Sequence, residues 1–202
     1  MIPLFCQGKD VQRETSEAIG IGARQIPTAD AANQFRAGER VFISEPNGAE
    51  VEYLGTIQSV ATDSITVELA TAAAKSEGAK LWTPQEMFEW PAGALGAAQR
   101  SCHSGVEVVR SLGGVSYATR LHSPYETEKV RFENLSDERF EQLSSWFEQQ
   151  ANGGLDEFTY VDGAHAVWRV RLDAPTLEWS CTARDLVAVE FNLHLLSAPS
   201  YV

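Results

Sequence analysis

Cysteine and histidine stand next to each other at Cys102 and His103, the two residue types that a thiol hydrolase uses as nucleophile and base. Adjacency in the sequence does not by itself place a thiolate beside an imidazole, and the chain has no G-x-S-x-G elbow for a serine nucleophile. The four histidines show neither HExxH nor H-x3-5-H spacing, so they predict no zinc site. We therefore expect no catalytic residue and no metal ligand.

Carboxylates occur in two close pairs, Asp156 with Glu157 and Glu126 with Glu128, as a glycosidase would require. Such spacing is more typical of the solvated faces of turns and strands. Glycine-rich stretches at 20–24 and 93–98 match neither G-x-G-x-x-G nor a P-loop, so no phosphate-bearing cofactor is predicted. The residues thus indicate a protein that is not an enzyme.

Five tryptophans are the remaining candidates for a binding site, because tryptophan rings can line a sugar site. At strand and helix spacing, large aromatic residues belong more often to a core or a subunit interface. A carbohydrate-binding β module for host attachment therefore stays open as the alternative function.

Charge and composition narrow the classes of partner. The 202 residues include 16 basic and 28 acidic side chains, a net charge of −12, which suits contacts to phosphate backbones poorly. Three cysteines without a CxxC pair predict reduced thiols. No apolar run reaches the roughly 20 residues of a membrane helix and no signal peptide is apparent, so we expect a cytoplasmic origin and no membrane anchor.

One helix can be predicted from its start to its end, over residues 136–152. Ser136 can cap the first turn, and Leu135 with Phe140 occupies the positions of a hydrophobic staple. Gly153 and Gly154 supply a left-handed ending. The apolar stripe of this helix needs a surface to pack on.

Period-two patterns elsewhere predict a mainly β, α+β chain: an antiparallel β-sandwich or barrel with one packed helix, plus a small N-terminal β-barrel. Asn47-Gly48 is a strong hairpin signal within that barrel. We divide the chain into an arm with a short helix at 1–38, a barrel at 39–83, a connector at 84–104 with a helical piece at 85–88, and a sandwich at 105–202.

The strand Leu186–Leu195 alternates apolar and polar residues over its whole length, and we expect its apolar face to be the surface on which the helix packs. The predicted core of the sandwich, which is also its interaction core, consists of Phe140, Leu143, Phe147, Trp168, Val189, Phe191 and Leu193.

The order of these elements from Gly113 to Leu195 resembles the tail-tip proteins of long-tailed bacteriophages, the group of the minor tail protein M and the distal tail protein. In that group a G-Y-x-x-R segment precedes a strand, a short helix ending in Gly-Gly, a Phe-x-Trp/Tyr strand and a closing strand. The matching positions here are Gly114, Tyr117, Arg120, Phe140, Leu143, Phe147, Gly153, Gly154, Phe158 and Tyr160. Two features depart from the M-like pattern: no Trp-Thr-Pro follows Gly-Gly, and an extra β module precedes the matched region.

The resemblance implies a virion structural protein with a tail-tube-like fold, assembled in the host cytoplasm and located in the phage tail. It implies a ring, a hexamer, that joins tail tube to baseplate as a distal tail protein, tail-tip hub or adaptor. The implied partners are further copies of the chain and other tail proteins such as tube, hub and tape measure, with DNA only in transit through the channel.

Overall fold

Short extended segments dominate the computed structural model, which describes residues 4–9, 12–89, 99–104, 106–110, 116–120, 125–173 and 177–196. The first elements are β1 (Leu4–Gln7), β2 (Gln12–Glu14), β3 (Gln25–Pro27), α1 (Ala31–Gln34), β4 (Arg40–Ser44), β5 (Glu52–Val60), β6 (Ser64–Val67), β7 (Lys80–Trp82) and β8 (Glu86–Glu89). The later elements are β9 (Gln99–His103), β10 (Val106–Arg110), β11 (Ser116–Arg120), β12 (Tyr125–Ser136), α2 (Asp137–Gln149), β13 (Phe158–Val161), β14 (Val167–Leu172), β15 (Glu178–Ala183) and β16 (Leu186–Leu195). The prediction of a mainly β, antiparallel fold with one packed helix is confirmed.

Contacts divide the chain into two units. The N-terminal unit contains the described residues up to 89 together with Phe158–Arg169, and the helix unit contains those between 99 and 157 and from Val170 onward. This grouping cuts across the predicted segments, because Phe158–Arg169 was expected in the sandwich at 105–202. The reason is aromatic packing: the Phe158 and Tyr160 rings lie 5.4 and 5.6 Å from the Phe5 ring.

Within the N-terminal unit, six strands form a barrel-like sheet in the order β2-β7-β4-β5-β6-β3. Its two outer strands meet, because Thr15 bridges to Thr28 and the amide of Ser16 donates to the Pro27 carbonyl at 3.2 Å. The predicted hairpin is present between β4 and β5, where Asn47 accepts a bond from the Ala49 amide at 2.9 Å. The sheet therefore closes on itself at this end and leaves little free strand edge there.

Strand β4 is buried on both faces, which explains its nearly unbroken apolar sequence. Val41 and Ile43 face the interior of the barrel-like sheet. Phe42 points outward into a second cluster that includes Leu4 and Val161, and its ring stacks on Trp82 at 4.2 Å. Strands β1 and β13 thus cover the outer side of this sheet.

Three local predictions can be compared with the structure. The described residues of the predicted arm include paired strands, because β1 pairs with β8 and β13, and β2 pairs with β7. The piece at 85–88 is the strand β8 instead of a helix, since its pairing with β1 outweighs local helix propensity. The short helix predicted near residue 30 is present as the single turn α1.

The helix unit contains the sheet order β14-β16-β12-β9, with β15 also pairing β16. Helix α2 begins as predicted: the Ser136 hydroxyl accepts a bond from the Arg139 amide at 3.4 Å. It packs on β12 and β16, as expected for the closing strand, and Gly153 adopts a left-handed φ of 64° after its end. No helix in the described part of the chain is long and apolar enough to cross a bilayer.

Candidate assembly surface

The predicted core residues fall in both units. Leu143, Phe147, Val189, Phe191 and Leu193 are buried in the helix unit, whereas Trp168 is buried in the N-terminal unit.

Trp168 and Phe140 differ from the other predicted core residues. The Trp168 indole N–H donates to Asp162 at 3.2 Å. Phe140 is only half-buried, because it lies at the margin of the helix face, whose centre is Leu143, Trp146 and Phe147. Gly114 lies outside the described residues, and Tyr117 and Arg120 are described only as strand backbone.

The adjacent Cys102 and His103 are not brought together as a dyad. They are successive residues of β9, so their side chains point to opposite faces of the sheet. The His103 ring stacks on Tyr125 at 4.6 Å, and its Nε2 lies 3.0 Å from the Thr127 hydroxyl. Among the residues that the structure describes, no three His, Cys, Asp or Glu side chains are grouped closely enough to hold a metal ion.

In the helix unit two strands consist of exposed residues throughout, and the first of them is β9. All five of its residues are exposed, and β9 ends the order of its sheet after pairing with β12. A charged contact links β9 to β12: Arg100 lies 2.6 Å from Glu128, a carboxylate that is only 3% exposed. Among the described residues β9 is thus the last strand of this sheet.

The second of these strands is β15, all six of whose residues are exposed. It pairs with β16, and its residue Trp179 is 58% exposed although the ring lies 5.5 Å from Phe140. The sequence analysis missed this strand. Its signal was the alternation of Trp179 and Cys181 with Glu178, Ser180 and Thr182.

An open depression of ≈ 290 Å³ lies beside β15, over the small side chain of Ala188. Glu178 and Glu190 stand directly opposite each other across β15 and β16, an arrangement of like charges that disfavours the pairing. Lys129 compensates one of them, at 2.5 Å from Glu190. The like charges of Glu178 and Glu190 thus lie next to each other at the exposed strand β15.

A third feature is the hairpin of β10 and β11, which pairs five residues with five. In the described part of the chain it forms a two-stranded sheet of its own. A lone hairpin is at best marginally stable in water, so it gains from a surface to pack on.

Comparisons with known proteins show no family. No protein-family model matches the sequence, and no curated protein matches it significantly. Among solved structures, a chain from the tail of an empty GTA particle, computed with helical refinement and C6 symmetry, superposes with a TM-score of 0.33. The match has 14% identity and covers 56% of this chain and 86% of that one. A similarity this low supports no inference about function.

Proposed function

We propose that this chain is a structural, non-enzymatic subunit of a bacteriophage tail that assembles with copies of itself into a ring. The resemblance of residues 113–195 to tail-tip proteins supplies the class of protein and the expectation of six copies, located in the virion and bound to neighbouring tail proteins. The observation that carries the proposal is the exposure of two strands of the helix unit. The barrel-like sheet closes at its outer strands, whereas the helix unit leaves β9 and β15 fully exposed.

Exposed strand edges favour association because their unpaired N–H and C=O groups are templates for another strand. Natural proteins blunt such edges with proline or charged side chains; β9 and β15 contain no proline or lysine, and each carries a single charged residue, Arg100 and Glu178. Two different edges on one chain give a head-to-tail contact, which closes into a ring when the rotation between copies allows it.

The test is the mass of the purified protein in solution at micromolar concentration, by sedimentation velocity or mass photometry. We expect a discrete species of several 22.2 kDa chains, six if the resemblance holds in full, and rings in negative-stain images. A protein that remains monomeric at all concentrations and is absent from purified virions would refute the proposal.

A lysine placed on one edge provides the matched comparison. Ser180→Lys puts a charged side chain on exposed β15 and should shift the protein toward monomer while its circular dichroism stays unchanged. Ser145→Lys makes the same substitution on the exposed face of α2 and should leave the mass unchanged. Equal behaviour of the two variants would speak against assembly through β15.

A saccharide-binding role is the second candidate, and the exposed ring of Trp179 favours it. Trp82, Trp146 and Trp168 are buried, so Trp179 alone among the described tryptophans offers an open ring. Binding on a glycan array that disappears in Trp179→Ala would support this function. An array without any saccharide preference would remove it.

A further inference from the structure

We propose that the Lys75 amine and the Glu52 carboxyl group condense into an amide bond that cross-links the N-terminal unit from within. The cross-link is independent of ring assembly, because every residue that forms it lies inside one unit of one chain. Lys75 supplies a nucleophile, Glu52 an electrophile and Glu50 a proton acceptor. These three side chains are a reactive group that the candidate assembly surface does not use.

Burial distinguishes this pair from an ordinary surface ion pair. The side chains of Lys75 and Glu52 are 1% and 2% exposed, and the Lys75 nitrogen lies 3.5 Å from Glu52 Oε2. Glu52 stands opposite Ile43 on β4, which faces the interior of the barrel-like sheet, so the carboxylate points into the same apolar interior. Solvent has almost no access to either group, and water therefore competes poorly with the amine for the carboxyl carbon.

The backbone holds both reactants in place. Lys75 exchanges two backbone hydrogen bonds of 2.9 Å with Ile19, and its amine donates to the Glu50 carbonyl at 3.0 Å. Glu52 is held in the ladder between β4 and β5. Groups that are fixed side by side in one molecule reach effective molarities of about 10⁵–10⁸ M, and this proximity favours the amide over its hydrolysis.

The two oxygens of Glu52 have different partners. Oε1 accepts a hydrogen bond from the backbone amide of Ala72, a donor of the kind that stabilises negative charge on a carbonyl oxygen under attack. Oε2 has no hydrogen-bond partner among the described residues and lies beside the Lys75 amine. We therefore expect the amide to keep Oε1 and to lose Oε2.

The reaction needs no reagent besides these side chains. Glu50 Oε2 lies 3.7 Å from the Lys75 nitrogen, and its side chain is 66% exposed and can turn, so it carries one ammonium proton to Glu52 Oε2. The electron pair left on nitrogen attacks Cδ of Glu52, so that an N–C bond forms and the Cδ–Oε2 bond breaks. Oε2 takes a second proton from that nitrogen and departs as water. An ammonium and a carboxylate thus become one neutral amide and one water.

The rate follows from the charges. An ammonium has no electron pair to donate and a carboxylate is a poor electrophile, so only the neutral form of the pair reacts. The ion pair therefore forms on folding and condenses slowly afterwards: freshly prepared protein holds the pair, and stored protein accumulates the cross-link. The bond joins β5 to the loop after β6, which restricts the unfolded chain and favours the folded barrel.

Intact-mass spectrometry of the full-length protein during incubation at neutral pH tests the proposal. We expect a species lighter than the sequence by one water, whose share grows with time. Digestion and tandem mass spectrometry should then find a branched peptide that joins Glu52 to Lys75. The exposed pair Lys129 and Glu190, whose charged atoms are 2.5 Å apart, is a control within the same chain and should give no branched peptide.

Two variants separate the roles of the side chains. Lys75→Arg keeps a cation in the site but has no nucleophilic amine, so no water should be lost there. Glu50→Gln removes the proton acceptor and should slow condensation at least about tenfold. Because Glu50 is exposed, this second variant keeps its circular dichroism and remains informative even where Lys75→Arg does not fold.

Three results would overturn the proposal. The first is a mass equal to that of the sequence throughout the incubation of folded protein. The second is loss of water at Asp162-Gly163, where an aspartyl–glycine sequence can cyclise without any lysine. The third is an equal rate in the wild type and Glu50→Gln. The native mass of the protein decides the ring proposal separately.

Discussion

Replacing Lys75 by methionine is the perturbation with the most clearly defined energetic cost. Lys75 and Glu52 are 3% and 2% exposed, and their charged atoms lie 3.5 Å apart. The lysine also donates to the Glu50 carbonyl at 3.0 Å, and its own backbone bridges to Ile19. One buried cation therefore ties the loop after β6 to the start of β5.

Removing one partner of a buried ion pair costs about 3–5 kcal/mol, because the other charge remains buried without compensation. Glu52 would keep the bond that it accepts from the Ala72 amide, so we place Lys75→Met near the lower end, at about 3 kcal/mol. For a chain of this length that corresponds to a fall in Tm of about 6–12 °C. Urea unfolding followed by tryptophan fluorescence measures it as a lower midpoint with an unchanged slope.

Two variants make the result specific. Lys75→Met with Glu52→Gln removes both charges and keeps the Ala72 bond, so it should recover about 2 kcal/mol or more. Lys80→Met, the same change at a half-buried lysine on β7, should cost no more than about 0.5 kcal/mol. The reasoning is refuted if Lys75→Met costs less than about 1 kcal/mol, or if the double variant is as unstable as the single one.

The remaining predictions use the same unfolding assay. Leu143→Ala on the buried face of α2 should cost about 2–5 kcal/mol, whereas Ser145→Ala on its exposed face should change stability by less than about 0.5 kcal/mol; equal costs would contradict the packing of the helix. Gly55 has a φ of +76° and a Cβ there would lie 2.9 Å from that of Glu68, so Gly55→Ala should cost more than about 1 kcal/mol, and a neutral effect would mean that β5 relaxes freely. Bonds from the Thr56 hydroxyl and amide lower the pKa of Glu68, so its stabilisation is present above the unfolded pKa and is lost as the pH falls through the folded pKa. Glu68→Gln should therefore be destabilising at neutral pH, by less than about 1 kcal/mol because the group is exposed, and should match the wild type in acid; a difference that persists in acid would contradict this assignment.

Local chemistry explains which elements were predictable. Ser136, the acidic residues after it and Gly153 specify the ends of α2 through bonds and backbone angles that lie within a few residues of one another. The strand Leu186–Leu195 was predictable because one of its faces is buried, and its sequence therefore alternates apolar and polar residues. All residues of strand β9 are exposed, so neither of its faces has to be apolar, and its sequence does not alternate apolar and polar residues.

Contacts between distant segments could not be predicted in this way. Residues 158–169 look like a continuation of the sandwich, yet Phe158 and Tyr160 pack on Phe5, more than 150 residues earlier in the chain. The role of β15 likewise depends on β16, which is its strand partner in the described part of the chain. The pattern of apolar and polar residues predicts which side chains are buried, but it does not predict which other segment buries them.

The sequence by itself determined the β-rich class, the bounds of the one long helix to within a few residues and the absence of any recognisable catalytic motif, because propensity, capping and periodicity act over short distances. It also places Cys102 next to His103, but adjacency along the chain does not by itself bring the two side chains together. Only the tertiary structure decided that these two side chains face opposite sides of β9, and that Cys102 and Cys181 lie on the same face of one sheet. Strand pairing joins residues far apart in the chain, and the edges it leaves open are known only once the pairing is known.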